Sequence, residues 1–210
     1  MLHKDPFIIS PETFELIQSL QSIPELTNFY LVGGTALSLQ LGHRNSIDID
    51  LFTQLSFDEQ YILDCIAQKY VFNEIFRRNN TIIGFINDIK VDFICHAYPL
   101  VKEPIHEDGI TYLSKEDIAA MKLNAIAGSG QRLKDFIDVY FLLEYLSVND
   151  MLECYAIKYS NSNPLIALKA ISYFNDIDPE MDPPKLKQPM SLNSITARIT
   201  EAVLHPYKTF

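Results

Sequence analysis

Cysteine, glycine and long apolar stretches are all scarce in this chain. Three cysteines among 210 residues, with no pair at Cys-x-x-Cys spacing, argue against a zinc knuckle or a redox dithiol and suit a reducing compartment. Seven glycines and eleven prolines exclude a collagen-like or linker-like chain. No apolar run reaches the roughly 18 residues of a membrane span, and the opening residues MLHKDPF lack the apolar stretch of a signal peptide. We therefore expect a soluble, cytoplasmic protein without a membrane partner.

Basic residues are in deficit as well. The chain has 17 lysines and arginines against 27 aspartates and glutamates, a net charge of −10. This balance excludes a uniformly basic surface that grips phosphates, although a local basic groove is compatible with it. Hydrophobic residues make up 48% of the chain, which is ordinary for a globular protein of one domain with a modest appendage.

The predicted elements change from mixed strands and helices in residues 1–113 to helices alone in residues 114–210, which predicts an α+β fold. The first part is expected to form a mixed β-sheet with flanking helices, and the second a helical region. Predicted strands span residues 29–32, 47–52, 81–86 and 89–93; predicted helices follow Ser10-Pro11, cover 35–41 and run from a Ser56/Glu59 capping box to 69. Residues 97–113 are expected to be loop, followed by helices over 115–127 and 134–146 and two or three more after 147.

Paired carboxylates are the first chemical signal. Asp48 and Asp50 alternate with apolar residues, so a strand would place both on one face, where like charges repel unless a cation lies between them. Carboxylate oxygens are ligands that Mg²⁺ prefers. Asp92 is a third acid within an apolar strand. The alternative for all three is a solvated position on an exposed strand.

A glycine pair precedes the acids. Gly33-Gly34-Thr35 stands at a predicted strand-to-helix turn, where glycines let the backbone approach a phosphate and a helix N-terminus attracts an anion. The alternative is plain turn chemistry.

A lone lysine and a lone aspartate interrupt the apolar faces of two later helices. Lys122 is the only charge between Ile118 and Ala127, and it either reaches out to solvent or faces a pocket. Asp138 needs a partner if it is buried, and Lys122 is the candidate. Asp135 lies near its helix start, where the helix dipole also favours an acid.

The combination resembles a known family. GGTALSLQLGHRNSIDIDLF, residues 33–52, is similar to the signature of the AbiEii/AbiGii toxin nucleotidyltransferases, which runs GGTAL, LGHR, a serine and DIDLF. This family is a branch of the polymerase-beta-like nucleotidyltransferases, so the resemblance implies that residues 1–113 form the nucleotidyltransferase core and that residues 114–210 complete the active site. SKEDIAAMKLNAIAGSGQRLKDFIDVYFLLE, residues 114–144, resembles the family's lysine-bearing helix and the Asp-x-x-Asp helix that follows. Ser129 departs from the arginine that often stands in the intervening loop.

The resemblance implies an activity. It implies transfer of a nucleoside monophosphate from a nucleoside triphosphate (NTP) to an acceptor, with release of pyrophosphate. Mg²⁺ or Mn²⁺ is the implied cofactor, with two metal ions bridging the triphosphate and the attacking oxygen. The implied acceptor is RNA, with a tRNA 3′ end as the leading candidate, and a protein hydroxyl group is the alternative. The protein would be the toxin of a bacterial toxin–antitoxin or abortive-infection pair, with a cognate antitoxin as a further partner.

The resemblance also implies site residues. Catalytic roles fall on Asp48, Asp50, Asp92, Lys122 and Asp138; metal binding on Asp48, Asp50 and Asp92; and nucleotide binding on Gly33, Gly34, Thr35, Arg44, Ser46, Lys134 and Asp135. For Arg44, hydrogen bonds to nearby carbonyl groups are an equally good explanation from the residues alone.

Two other functions compete. A glycosyltransferase with an Asp-x-Asp motif also uses paired aspartates and a metal ion, but it does not explain the glycine turn or Asp92. A non-catalytic binding protein on a nucleotidyltransferase scaffold is the other alternative, and the presence of all three carboxylates argues against it.

Overall fold

Two units make up the chain, whose residues 1–210 are all described by the computed structural model. The first unit comprises Met1–Pro99 and Glu103–Leu113, and the second comprises Leu100–Lys102 and Ser114–Phe210. No helix is both long and apolar enough to cross a bilayer.

A seven-stranded mixed sheet organises the first unit, with the strand order β3-β4-β5-β2-β1-β7-β6. The strands are β1 (Tyr30–Leu31), β2 (Ile49–Thr53), β3 (Asn73–Arg77), β4 (Thr81–Ile86), β5 (Ile89–Cys95), β6 (Ile105–Glu107) and β7 (Ile110–Tyr112). The helices of this unit are α1 (Pro11–Gln21), α2 (Gly33–Leu41) and α3 (Glu59–Ala67), with a short 3₁₀ turn at Pro24–Leu26. β2 runs parallel to β5 and antiparallel to β1, while β1 runs parallel to β7. The expected α+β class with a mixed sheet is confirmed.

Local chemistry explains several boundaries in this unit. Ser10 caps α1 by accepting from the Thr13 amide, as expected. Asn87 and Asp88 both have positive φ between β4 and β5, which is the backbone of a tight two-residue hairpin turn. The predicted capping box is wrong, because the side chain of Asp58 caps α3. The Glu59 carboxylate instead accepts a hydrogen bond from the Asn80 amide at 2.6 Å.

The expectation of a loop over residues 97–113 is wrong in part. Strands β6 and β7 form a hairpin there, and Asp108 and Gly109 between them both have positive φ. The Asp-Gly turn was a signal for this hairpin. Each strand is only three residues long, which is too short for an alternation of apolar and polar residues to be recognised. β7 joins the sheet through β1, a partner distant in sequence.

Helices alone form the second unit: α4 (Lys115–Gly128), α5 (Leu133–Leu142), α6 (Val148–Lys158), α7 (Pro164–Ile171) and α8 (Leu192–Leu204). Ser114 caps α4 by accepting from the Asp117 amide at 3.0 Å, as its position predicts. Three helices follow residue 147, and the first begins with a Ser147/Asp150 capping box.

A fully buried ion pair links three segments of the second unit. Lys158 of α6 lies 2.8 Å from Asp117 of α4, and their side chains are 1% and 0% exposed. The same carboxylate accepts from the amides of Val101 and Lys102 at 2.9 and 3.0 Å, and from the Ser114 hydroxyl. This carboxylate therefore has several donors, which is the condition under which a buried charge is tolerated.

We predict that Lys158→Met lowers the free energy of unfolding by about 3–5 kcal/mol, because it leaves the buried Asp117 charge without its cation. Urea denaturation measures the change. Lys169→Met, at an exposed lysine of α7, is the matched control and should stay within about 0.5 kcal/mol of wild type. A loss below about 1 kcal/mol in Lys158→Met would contradict the structural role of the pair.

Candidate active site

Two aspartates face each other across neighbouring strands of the first unit. Asp50 of β2 and Asp92 of β5 are register partners in a parallel pair, so their side chains emerge from the same face of the sheet. Asp92 is buried and Asp50 is half-buried. Like charges this close destabilise each other unless a cation or a donor compensates them.

Lys90 supplies part of that compensation. It stands two residues before Asp92 on β5, and its ammonium nitrogen lies 2.7 Å from Asp92 Oδ2. Partial burial opposes the charged form of Lys90, but the hydrogen bond to Asp92 and the negative charges of Asp92, Asp50 and Asp48 outweigh it and raise the pKa of the ammonium. All three acids predicted to bind metal therefore act on one lysine.

The second oxygen of Asp92 has no hydrogen-bond partner although it is buried. A buried carboxylate oxygen without a donor is destabilising, and a divalent cation is a ligand that would satisfy it. The donor set of carboxylates also matches Mg²⁺ or Mn²⁺. The residues therefore fit a divalent cation, although no three acidic, histidine or cysteine side chains already surround one point as a finished metal site does.

Asp48 lies outside the strand that was expected to carry it. β2 begins at Ile49, one residue later, so alternation along a strand does not fix the direction of the Asp48 side chain. The Thr35 hydroxyl donates to the Asp48 carbonyl and lies 2.9 Å from the Ser46 hydroxyl. Thr35 and Ser46, expected to bind nucleotide, thus hold the backbone that enters β2.

The glycine pair makes room for two charged side chains. Gly33 has a φ of +68°, and a Cβ there would lie 2.5 Å from Asp50 Oδ2. A Cβ on Gly34 would collide with the guanidinium group of Arg44. Arg44 is buried and donates to the Asn45 carbonyl at 3.0 Å. The glycines thus have a structural reason beyond any contact with phosphate.

The N-terminus of α2 begins at the same place. Val32 occupies the cap position and no side chain caps the helix. The positive end of the helix dipole therefore lies beside the Asp50 carboxylate.

In the second unit, Lys122 sits between two aspartates. Its ammonium nitrogen is 2.7 Å from Asp135 and 2.7 Å from Asp138, and all three side chains are at least nine-tenths buried. The expected pairing of Asp138 with Lys122 is present, and a lysine reaching out to solvent is excluded. The formal charge of the three groups together is −1, so Lys122 is a neutralised cation within its own unit.

Lys134 and Arg132 share a single carboxylate. Lys134 lies 2.5 Å and Arg132 lies 3.4 Å from Asp182. Partial burial opposes ionisation of Asp182, but the hydrogen bond from Lys134 and both positive charges lower its pKa. Asp182 comes from the proline-rich segment before α8, and no sequence pattern pointed to it.

A groove of about 470 Å³ lies at the end of α4. The loop Gly128–Gly130 forms one side, and the exposed side chains of Lys169, Tyr173 and Asp176 are on the other. Its volume is within the range of small-molecule sites. Ser129 lies in this groove.

Comparison with proteins of known structure identifies the class of the fold. The fold is similar to MenT4, a nucleotidyltransferase toxin of Mycobacterium tuberculosis, with a TM-score of 0.56 at 15% identity over 92% of this chain and 84% of that one. JHP933 from Helicobacter pylori gives a TM-score of 0.53 at 16% identity over 95% and 93%. At such identities the likeness concerns the fold, which is that of nucleotidyltransferases.

The family is established by sequence. Residues 16–198 match the family described as "Nucleotidyl transferase AbiEii toxin, Type IV TA system". An uncharacterized protein of Aquifex aeolicus is 32% identical over 179 residues, covering 82% of this chain and 86% of the relative. The chain belongs to the AbiEii nucleotidyltransferase toxin family, and it is a nucleotidyltransferase.

Two groups of predicted residues are thus formed, one in each unit. Asp50, Asp92 and Gly33 come together in the first, and Lys122, Asp135 and Asp138 in the second. Sequence reasoning missed Lys90 and Asp182. Lys90 was findable, because two residues before Asp92 on a strand means the same face.

We predict that Gly33→Ala lowers the transfer activity, because a Cβ at positive φ displaces the Asp50 carboxylate. The same substitution should lower the free energy of unfolding by about 1–3 kcal/mol. Thermal denaturation and an NTP-transfer assay measure both effects. Gly128→Ala is the control: a Cβ there meets nothing within 4 Å, and the helical position favours alanine by up to about 1 kcal/mol. Equal behaviour of the two variants would refute the close approach of Asp50.

Proposed function

We propose that this nucleotidyltransferase moves a nucleoside monophosphate from an NTP to an acceptor hydroxyl in a reaction that depends on Mg²⁺ or Mn²⁺. The observation that carries the proposal is the buried, unpartnered oxygen of Asp92 beside its register partner Asp50. The uncapped N-terminus of α2 begins next to the same Asp50 carboxylate.

The reaction forms one bond and breaks one. The acceptor oxygen attacks the α-phosphorus of the NTP, the bond to the bridging oxygen of the β-phosphate breaks, and pyrophosphate leaves. A divalent cation bound by Asp48, Asp50 and Asp92 would neutralise the triphosphate and lower the pKa of the attacking hydroxyl. The Asp92 carboxylate would accept the proton of that hydroxyl, and the first amides of α2, at Gly33 and Gly34, would bind phosphate oxygens.

We propose that Lys122 stabilises charge on the leaving pyrophosphate, with Asp135 and Asp138 as positioning residues that hold its ammonium group. Lys122→Ala leaves two buried carboxylates without their cation, so its loss of activity is interpretable only beside a thermal unfolding curve. Lys122→Arg keeps the charge and is the variant that separates the two effects.

The proposed acceptor is RNA, with the tRNA 3′ end first, and the proposed biological role is that of a toxin held in check by an antitoxin. Family membership and the fold shared with the MenT4 toxin support this role. The net charge of −10 disfavours long-range attraction of a polyanion, so the RNA is held by local contacts.

We predict that Asp50→Asn and Asp92→Asn each abolish labelled-NTP transfer onto total cellular RNA without lowering the unfolding temperature, because each removes one of two repelling charges. The same substitutions should relieve the growth defect caused by expression in a bacterial host. Asp64→Asn, on the exposed side of α3, is the control and should behave as wild type.

Two results would contradict this assignment. Undiminished transfer in both site variants would refute the role of the acid pair. Transfer from nucleotide sugars, with none from NTPs, would refute the proposed reaction.

We predict that Asp182→Asn strengthens RNA binding about two- to tenfold, because it releases Arg132 and Lys134 to phosphates. The plot of log affinity against log salt should steepen by about 0.7 for each phosphate gained. Glu180→Gln removes the same charge from an exposed position nearby and is the control. Arg132→Glu combined with Lys134→Glu should weaken RNA binding more than NTP binding, and unchanged RNA affinity in this variant would show that the acceptor docks elsewhere.

A further inference from the structure

Lys90, Lys122 and Lys158 each pair with an aspartate, and of these three Lys90 is the one that can leave its partner most easily. The Lys158 and Lys122 side chains are 1% and 9% exposed, so release would strand a charge in the interior. The Lys90 side chain is 36% exposed. Its ammonium group can turn into water while its stem remains on the sheet.

Lys90 also contacts the carboxylate on which the candidate metal site depends. It contacts one oxygen of Asp92, and the other oxygen is buried without a partner. Asp50, the register partner of Asp92, emerges from the same face of the sheet. Lys90 thus occupies one of the two oxygens that a cation bound by Asp92 would use, and its positive charge repels that cation.

We propose that Lys90 is an internal counter-ion that holds the Asp92 carboxylate in the metal-free protein and is displaced when a divalent cation binds. This inference rests on the metal site of the proposed function. Lys90 is then a positioning residue that lowers the affinity for the metal ion and stabilises the empty acid pair. Metal binding then exchanges the Lys90 ammonium group for the divalent cation. A positive charge therefore lies beside the aspartates both with and without the metal ion.

The test is the metal affinity of Lys90→Met, a substitution that removes the charge and retains the length of the side chain. Mn²⁺ titrated into the full chain by calorimetry should bind about two- to fivefold more tightly than to wild type, the effect expected from losing one partly exposed charge contact. In chelator, Lys90→Met should unfold at a lower temperature than wild type, and saturating Mn²⁺ should close that gap.

Two variants control for simple loss of charge. Lys69→Met removes an exposed lysine of the same unit whose ammonium group contacts the Ser19 hydroxyl, and it should bind Mn²⁺ as wild type does. Lys90→Arg retains the positive charge and should keep the Mn²⁺ affinity near that of wild type.

The outcomes separate this inference from the proposed function. If wild type binds Mn²⁺ and Lys90→Met binds it equally or more weakly, the counter-ion role is wrong and the metal site stands. If neither protein binds Mn²⁺, the metal site itself is wrong and the inference falls with it. If Lys90→Met binds more tightly while transfer from NTPs is absent, the inference holds and the proposed reaction is wrong.

Discussion

Repulsion between two aspartates at matching positions of parallel strands is the constraint on which the first unit depends. The pairing of β2 with β5 places Asp50 opposite Asp92, and each neighbouring feature reduces the resulting penalty. The positive N-terminal end of α2 lies beside Asp50. Gly33 has no side chain, so the Asp50 carboxylate can approach this end of the helix. Lys90 covers one oxygen of Asp92. A sheet evolved only for stability would carry apolar residues at these positions, so the acids point to chemistry.

Burial separates the roles of the lysines. The pair of Lys158 and Asp117 is sealed and ties the segment Leu100–Lys102 to two helices, so it acts as a structural link. Lys122 is nearly as buried but has two carboxylate partners, which fixes its position more strictly than one partner would. Among these three lysines, Lys90 alone has a side chain that is about one-third exposed, which is why the exchange of partners is proposed for it and not for the other two.

Structural features that depend on neighbouring residues could be predicted from the sequence. Features that depend on contacts between residues far apart in the sequence could not. The α+β class, the Asn87-Asp88 hairpin and the Ser114 cap follow from local patterns. Strand β3 lies at the sheet edge with every residue exposed, so no apolar alternation marked it. The candidate acids were recognisable because an apolar strand makes a charge conspicuous. Asp182 was not, because it reaches Lys134 from 48 residues away along an irregular segment.

The distribution of charge has a consequence for how this enzyme handles polyanionic substrates. Its acids outnumber its basic residues, and Lys90, Lys122 and Lys134 each already contact a carboxylate. In the proposed reaction, a triphosphate would therefore meet lysines that already have a carboxylate partner. Its binding would depend on contacts at short range and on a cation brought from solution, because screening and the net negative charge oppose attraction from a distance.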